Sequence, residues 1–128
     1  TNTRGVFERP IAEYVLGLML AIAKDFRTTF RWQDRGQWQW RMTRSLAGHE
    51  VSLIGPGAIG TEIYRMLTAV GCRVQAFGRR EVSGDAVFGL IQSLSALDRF
   101  LPAADTVILA LPLTSAARWS MNRRCSRH

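Results

Sequence analysis

Ten residues, Val51-Ser52-Leu53-Ile54-Gly55-Pro56-Gly57-Ala58-Ile59-Gly60, restrict the fold more than any other stretch of the chain. A short apolar run leads into glycines spaced G-x-G-x-x-G and then into a helical pattern. The first glycine permits a tight strand-to-helix turn, the second lets backbone approach a pyrophosphate, and the third lets helix and strand pack closely. The N–H groups that open such a helix lack partners and favour anions, as does the helix dipole. The glycines alone are weak evidence, but their context is specific. Ile59, Ile63, Leu67 and Val70 recur at helical spacing, Gly71 stands where a helix C-terminus favours glycine, and Arg73-Val74-Gln75-Ala76-Phe77 reads as a second strand. The spacing predicts a β-α-β unit over residues 50–77 with a nucleotide-binding turn.

The second strand ends at Gly78-Arg79-Arg80. In dinucleotide folds an acid near this point binds the adenosine ribose hydroxyls. Here the position, eighteen residues after Gly60, carries glycine. A carboxylate would repel a ribose 2′-phosphate, whereas glycine leaves room for one and Arg79 and Arg80 can pair with it. This favours NADP(H), with NAD(H) as the alternative. Two solvated arginines partly offset by Glu81 is the plainer reading of the same residues.

Upstream, residues 8–26 read as a helix with Pro10 in its first turn. Ile11, Val15, Leu18, Met19, Ile22 and Phe26 form an apolar stripe expected to pack in the core. In residues 27–49, Arg27, Arg31, Arg35, Arg41 and Arg44 interleave with Phe30, Trp32, Trp38 and Trp40. Such a pattern can bind single-stranded nucleic acid by charge and stacking. No nucleic-acid motif accompanies it, so an arm seating tryptophans on a partner subunit is the favoured reading. His49 is expected to be exposed in a turn, without a role. Downstream, Ala86-Val87-Phe88 suggests a third strand and Ser95 to Leu101 a short helix. Thr106 to Leu111 is an unbroken apolar run expected to be a strand buried on both faces. It leads into Pro112-Leu113-Thr114, at the sheet edge where ligands bind.

The chain's 128 residues suit one modest domain, and its longest apolar run, Tyr14 to Ala23, is too short to span a bilayer. The formal charge is +7, and Lys24 is the one lysine among 17 basic residues, a balance suited to an anionic partner. Cys72 and Cys125 fit no metal-site spacing, and no metal is expected. Cys72 reads as a packed, reduced thiol, with a cytoplasmic location as the default.

The order of these features resembles the coenzyme domain of the D-isomer-specific 2-hydroxyacid dehydrogenases. The resemblance runs from Arg9-Pro10-Ile11-Ala12-Glu13-Tyr14 and Leu18 to Ala23, through Trp40, Leu46-Ala47-Gly48 and Gly55 to Gly60. It continues through Ala104-Asp105-Thr106-Val107-Ile108-Leu109-Ala110-Leu111-Pro112-Leu113-Thr114. It implies an α/β fold, a partial Rossmann-type doubly wound parallel sheet of about four strands with a long N-terminal helix. The implied division is a partial NAD(P)-binding domain over 1–118 (opening helix 8–26, arm 27–49, core 50–114), then a divergent tail over 119–128. By the same resemblance Gly55, Gly57, Ala58, Ile59 and Gly60 would hold the pyrophosphate. Gly78, Arg79 and Arg80 would meet the adenosine ribose or its phosphate, and Leu111 and Pro112 would line the adenine side. The family moves hydride between nicotinamide and a 2-hydroxy or 2-oxo acid, using an arginine, a glutamate and a histidine. Those three fall beyond the last position matched here, and the substrate-binding portion is absent. The expectation is a truncated cofactor module, catalytically incompetent alone, with no catalytic residue assigned. The resemblance also implies a homodimer, or pairing with a full-length relative. A non-catalytic assembly module is the alternative, and a nucleic-acid binder is disfavoured.

Overall fold

The computed structural model describes residues 5–111. Two helices, α1 (Glu8–Ala23) and α2 (Phe26–Asp34), precede β1 (Glu50–Ile54), α3 (Ala58–Ala69) and β2 (Arg73–Gly78). A hairpin of β3 (Val82–Asp85) and β4 (Gly89–Ser93) follows, then a short helical stretch centred on α4 (Leu97–Phe100), then β5 (Thr106–Leu109). The strands form one sheet in the order β3-β4-β2-β1-β5. β4, β2, β1 and β5 run parallel, with Ile54 level with Phe77 on one side and Leu109 on the other. β3 is antiparallel to β4 at the edge.

Both faces are covered, which makes the sheet doubly wound. On one face Leu53 and Ile108 pack with Ile63 and Leu67 of α3 and with Ala12, Met19 and Ala23 of α1. On the other, Ile54 and Phe77 pack against Leu97, and Phe100 meets the Phe77 ring edge-on at 5.2 Å. Removing a side chain such as Leu67 or Phe77 from water contributes roughly 1.5–3 kcal/mol, so these few residues anchor the β-α-β unit. Gly71, with φ of 89°, closes α3 as its position predicts. Among the described residues no helix is long and apolar enough to cross a membrane.

Several expectations need correction. The opening helix stops at Ala23, because Asp25 takes φ of 50° and turns the chain. Much of the expected arm is α2, whose first turn is capped by Asp25 accepting from the Thr28 N–H. The Arg41 guanidinium, stacked 4.6 Å over the Trp32 ring, donates to the Lys24 and Asp25 carbonyls and to Thr29 Oγ1, holding this corner. The α1 stripe divides. Helix α1 lies on α3 through Ala12, Met19 and Ala23, whose small members allow close approach, while Ile11, Leu18, Ile22 and Phe26 stay exposed.

Ala86-Val87-Phe88 is the turn of the hairpin and not a strand. Asp85 Oδ1 accepts from the Val87 and Phe88 N–H groups, each at 2.9 Å, and folds the chain back there. The next parallel strand is therefore β4, and β3 brings the sheet to five. β5 is an edge among the described residues, so Ile108 is buried while Val107 and Leu109 are exposed. His49 is largely enclosed, its Nε2 3.0 Å from Thr106 Oγ1.

Candidate functional site

β1 lies between β2, reached through α3, and β5, reached from the far side of the sheet. The strand order reverses at the β1/β5 boundary, and in open α/β sheets the crevice outside the carboxyl ends at such a point is where ligands bind. The glycine turn occupies that place. The Gly55 N–H donates to the Phe77 carbonyl and the Ala110 N–H to the Ile54 carbonyl, which ties the turn to both neighbouring strands.

Each glycine meets a different constraint. Gly55 has φ of 104°, and a Cβ there would collide with the Ala110 carbonyl, whose carbon would lie 2.8 Å away. A Cβ on Gly60 would collide with the Gly55 carbonyl oxygen, so the first turn of α3 rests directly on the turn before it. Gly57 is the opposite case. No atom lies within 4 Å of a Cβ built there, and its φ of −90° suits any residue, so nothing inside the protein demands glycine. What the missing side chain leaves is open space in front of α3. No side chain caps that helix and its first turn carries no acid. The N–H groups of Ala58, Ile59 and Gly60 are therefore the orphan donors of an uncapped helix start. An open approach to bare donors fits a pyrophosphate, and these residues fit a dinucleotide.

The other site residues border this turn. Leu111 lies on the β5 side, its Cδ2 3.2 Å from a Cβ built on Gly55, and Pro112 lies outside the described residues. Gly78 ends β2 beside the turn. A Cβ there would lie 3.4 Å from Pro56 Cγ and 3.1 Å from Ile91 Cγ2, so the space at this glycine is narrower than its sequence suggests. Glycine here gives room to the Ile91 side chain of the neighbouring strand. Arg79 and Arg80 follow, exposed and without an ion pair among the described residues. His49 sits at the amino-terminal end of β1, the edge opposite the crevice. Among the described residues no cluster of metal-ligating side chains forms. Pro56 and Ser93, which is level with Gly78 on β4, complete this border. Ser93 carries no sequence signal, because strand register alone brings it there.

A doubly wound sheet with an uncapped glycine turn at its switch point defines an NAD(P)-binding domain of Rossmann type. The particular family follows from comparison. Residues 16–125 match the family model of the D-isomer specific 2-hydroxyacid dehydrogenase NAD binding domain, and the chain belongs to that family. It is 27% identical over 127 residues to a glyoxylate/hydroxypyruvate reductase A of Arabidopsis thaliana, covering 97% of this chain and 39% of the relative. It is 29% identical over 124 residues to a hydroxypyruvate reductase of Thermotoga maritima, covering 95% and 39%. The chain thus spans about two fifths of the length of these curated relatives, 39% in each case. Among solved structures, a D-isomer specific 2-hydroxyacid dehydrogenase family protein of Aeromonas salmonicida superposes with a TM-score of 0.77 at 30% identity, over 89% of this chain and 36% of that one. The NADPH-dependent glyoxylate/hydroxypyruvate reductase of Sinorhizobium meliloti shares the fold, with a TM-score of 0.76 at 21% identity, over 90% and 44%.

Proposed function

We propose that this chain is the cofactor-holding part of a 2-hydroxyacid oxidoreductase and that it prefers NADP(H) to NAD(H). The open space at Gly57 in front of uncapped donors carries the first statement. Gly55, Gly57, Ala58, Ile59 and Gly60 would hold the pyrophosphate, and Leu111 with Pro112 the adenine side. Arg79 and Arg80, without an ion pair among the described residues and with no acid at Gly78, carry the second. When bound, the nicotinamide supplies the hydride chemistry. The protein's part is to place the dinucleotide along the carboxyl edge of the sheet and hold its charge.

The 128 residues alone are expected to bind cofactor without turnover, since the described histidine, His49, faces the opposite sheet edge. Calorimetric titration with NADPH and NADH tests the reading. Saturable, tighter binding of NADPH, weakened by Arg79→Asp, is the expected result, and equal binding of the two refutes the preference. Steady reduction of glyoxylate or hydroxypyruvate by the purified chain would refute the incompetence.

Self-association belongs to the same proposal. Ile22 is 80% exposed on α1, and Trp38 and Trp40 are 87% and 76% exposed beyond α2, which is more aromatic and aliphatic surface than a solvated face needs. A second copy, or a longer relative, would cover it. Sedimentation of the chain is expected to show a dimer that Ile22→Asp dissociates, and an unchanged monomer across concentration would refute this.

A further inference from the structure

The two edges of the sheet are built differently. β3 carries Gly84, Asp85 and a register shift between Ser83 and Asp85, features that spoil an edge for further pairing. β5 has none of them. Thr106 to Leu111 contains no charge, glycine or proline, and β5 pairs with β1 without a shift. Asp105, just before the strand, is turned inward, its N–H donating to the Glu50 carbonyl and its Oδ2 accepting from the Glu50 N–H. The Ala110 N–H donates to the Ile54 carbonyl, and alternate residues of a strand direct their N–H and C=O groups to opposite sides. Thr106 and Ile108 therefore serve β1 as Ala110 does. The N–H and C=O groups of Val107 and Leu109 aim outward, where no strand of the described residues meets them. The side chains of the same two residues are 43% and 48% exposed.

We propose that this edge pairs with the β5 edge of a second copy, antiparallel about a two-fold axis at Ile108. Register points to that partner. With Ile108 opposite its own copy, Val107 of each chain stands opposite Leu109 of the other. Both residues have outward groups, so each such pair exchanges both of its N–H···O bonds, and the exposed Val and Leu side chains meet on one face. No charge meets its like, because Asp105 falls across from Leu111. Strands that run oppositely put the two dinucleotide crevices at opposite edges of the joined sheet, so both stay free for cofactor. Four residues a side is small beside the roughly 20–30 of a standard interface, so the contact is weak and forms on concentration. It is separate from the α1 contact proposed above and stands whether or not that one forms.

The test is amide hydrogen exchange and sedimentation of the full chain at low and high concentration, in an Ile22→Asp background that takes the α1 contact out of the readout. Exchange at the Val107 and Leu109 N–H groups should slow several-fold on concentration, while Ile108, whose N–H serves β1, should be slow throughout. Sedimentation should show a dimer emerging over the same range. Val107→Pro removes an outward N–H and spares the β1 ladder, so it should abolish both the dimer and the concentration dependence at Leu109 and keep the circular dichroism of its parent. If Val107→Pro does not fold, the exchange of the Ile22→Asp chain alone decides. Slow exchange at Val107 and Leu109 that ignores concentration would mean that the chain covers its own edge, and refutes the pairing. Fast exchange at every concentration would mean an edge without a partner, and refutes it equally.

Discussion

Replacing Gly60 with alanine sets two effects of opposite sign against each other. Gly60 lies in the first turn of α3, and in an ordinary helix the change gains about 1 kcal/mol of propensity. Here the new Cβ would collide with the Gly55 carbonyl oxygen, with the carbonyl carbon at 3.2 Å and Leu53 Cδ2 at 3.9 Å. The main obstacle is backbone, which no rotamer change can move aside. Gly55 has little room to retreat, because a Cβ built on it would already lie 2.8 Å from the Ala110 carbonyl carbon. Overpacking of this kind costs about 3 kcal/mol when it forces backbone shifts, so the clash wins and the net loss is about 2 kcal/mol. For a chain of this size that lowers the melting temperature by roughly 8 °C. Gly57→Ala is the internal control. Its Cβ meets nothing within 4 Å, and removing glycine from the unfolded chain is neutral or stabilises by about 0.5 kcal/mol. The same methyl would stand where a pyrophosphate has to approach, so dinucleotide binding should fall while stability holds. Thermal denaturation followed by circular dichroism, with calorimetry for binding, separates the two. A Gly60→Ala chain as stable as its parent refutes the packing argument. A Gly57→Ala chain that binds NADPH unchanged refutes the assigned role of the turn.

Arg41→Ala should destabilise the chain by about 2 kcal/mol, since it removes a guanidinium that donates to two carbonyls and a hydroxyl at the α1–α2 corner. Arg41→Lys should restore only part of this, because lysine lacks the planar fork stacked on Trp32, and urea denaturation reads both. Hydrogen bonds from the Phe88 and Val87 N–H groups hold the Asp85 carboxyl below its usual 3.8. A lowered folded-state value means that Asp85 contributes stability above pH 3.8 and loses it as the pH falls through and below that value. Asp85→Asn, which lacks the charge at every pH, should therefore flatten the acid limb of the stability profile by lowering stability at neutral pH while leaving it little changed in strong acid. Burial pushes the Cys72 thiol up, so in a Cys125→Ser background Cys72 should react with a thiol reagent slowly when native and rapidly in urea. Fast native labelling would contradict its place between α3 and β2.

The glycine turn was legible because the spacing of its glycines is contiguous in sequence, with a positive φ at Gly55 and a Gly60 that packs on Gly55 itself, although the approach of Ala110 to Gly55 was not. The β-α-β unit followed from Ile63 and Leu67, whose spacing alone puts them on one face. The corner after Ala23 was not legible, because Asp25 is held in its unusual conformation by Arg41, sixteen residues away. Size misled the reading of α1. Ile11, Leu18 and Ile22 are larger than the Ala12 and Ala23 that make the seam, and apolar pattern does not distinguish a core face from one open to another chain. The hairpin was hidden because a single side chain, Asp85, folds back the short apolar run Ala86-Val87-Phe88 that otherwise reads as a strand. The pairing of Gly78 with Ser93 depends on register, which no residue in either strand announces.

The claim that the uncapped start of α3 is a working dinucleotide site is tested most directly by amide hydrogen exchange with and without NADPH. Binding there should slow exchange at Ala58, Ile59 and Gly60, whose N–H groups would donate to the pyrophosphate, and at Arg79 and Arg80, leaving the α1–α2 corner unchanged. Slowed exchange confined to residues 32–41, or none at saturating cofactor, would contradict the account.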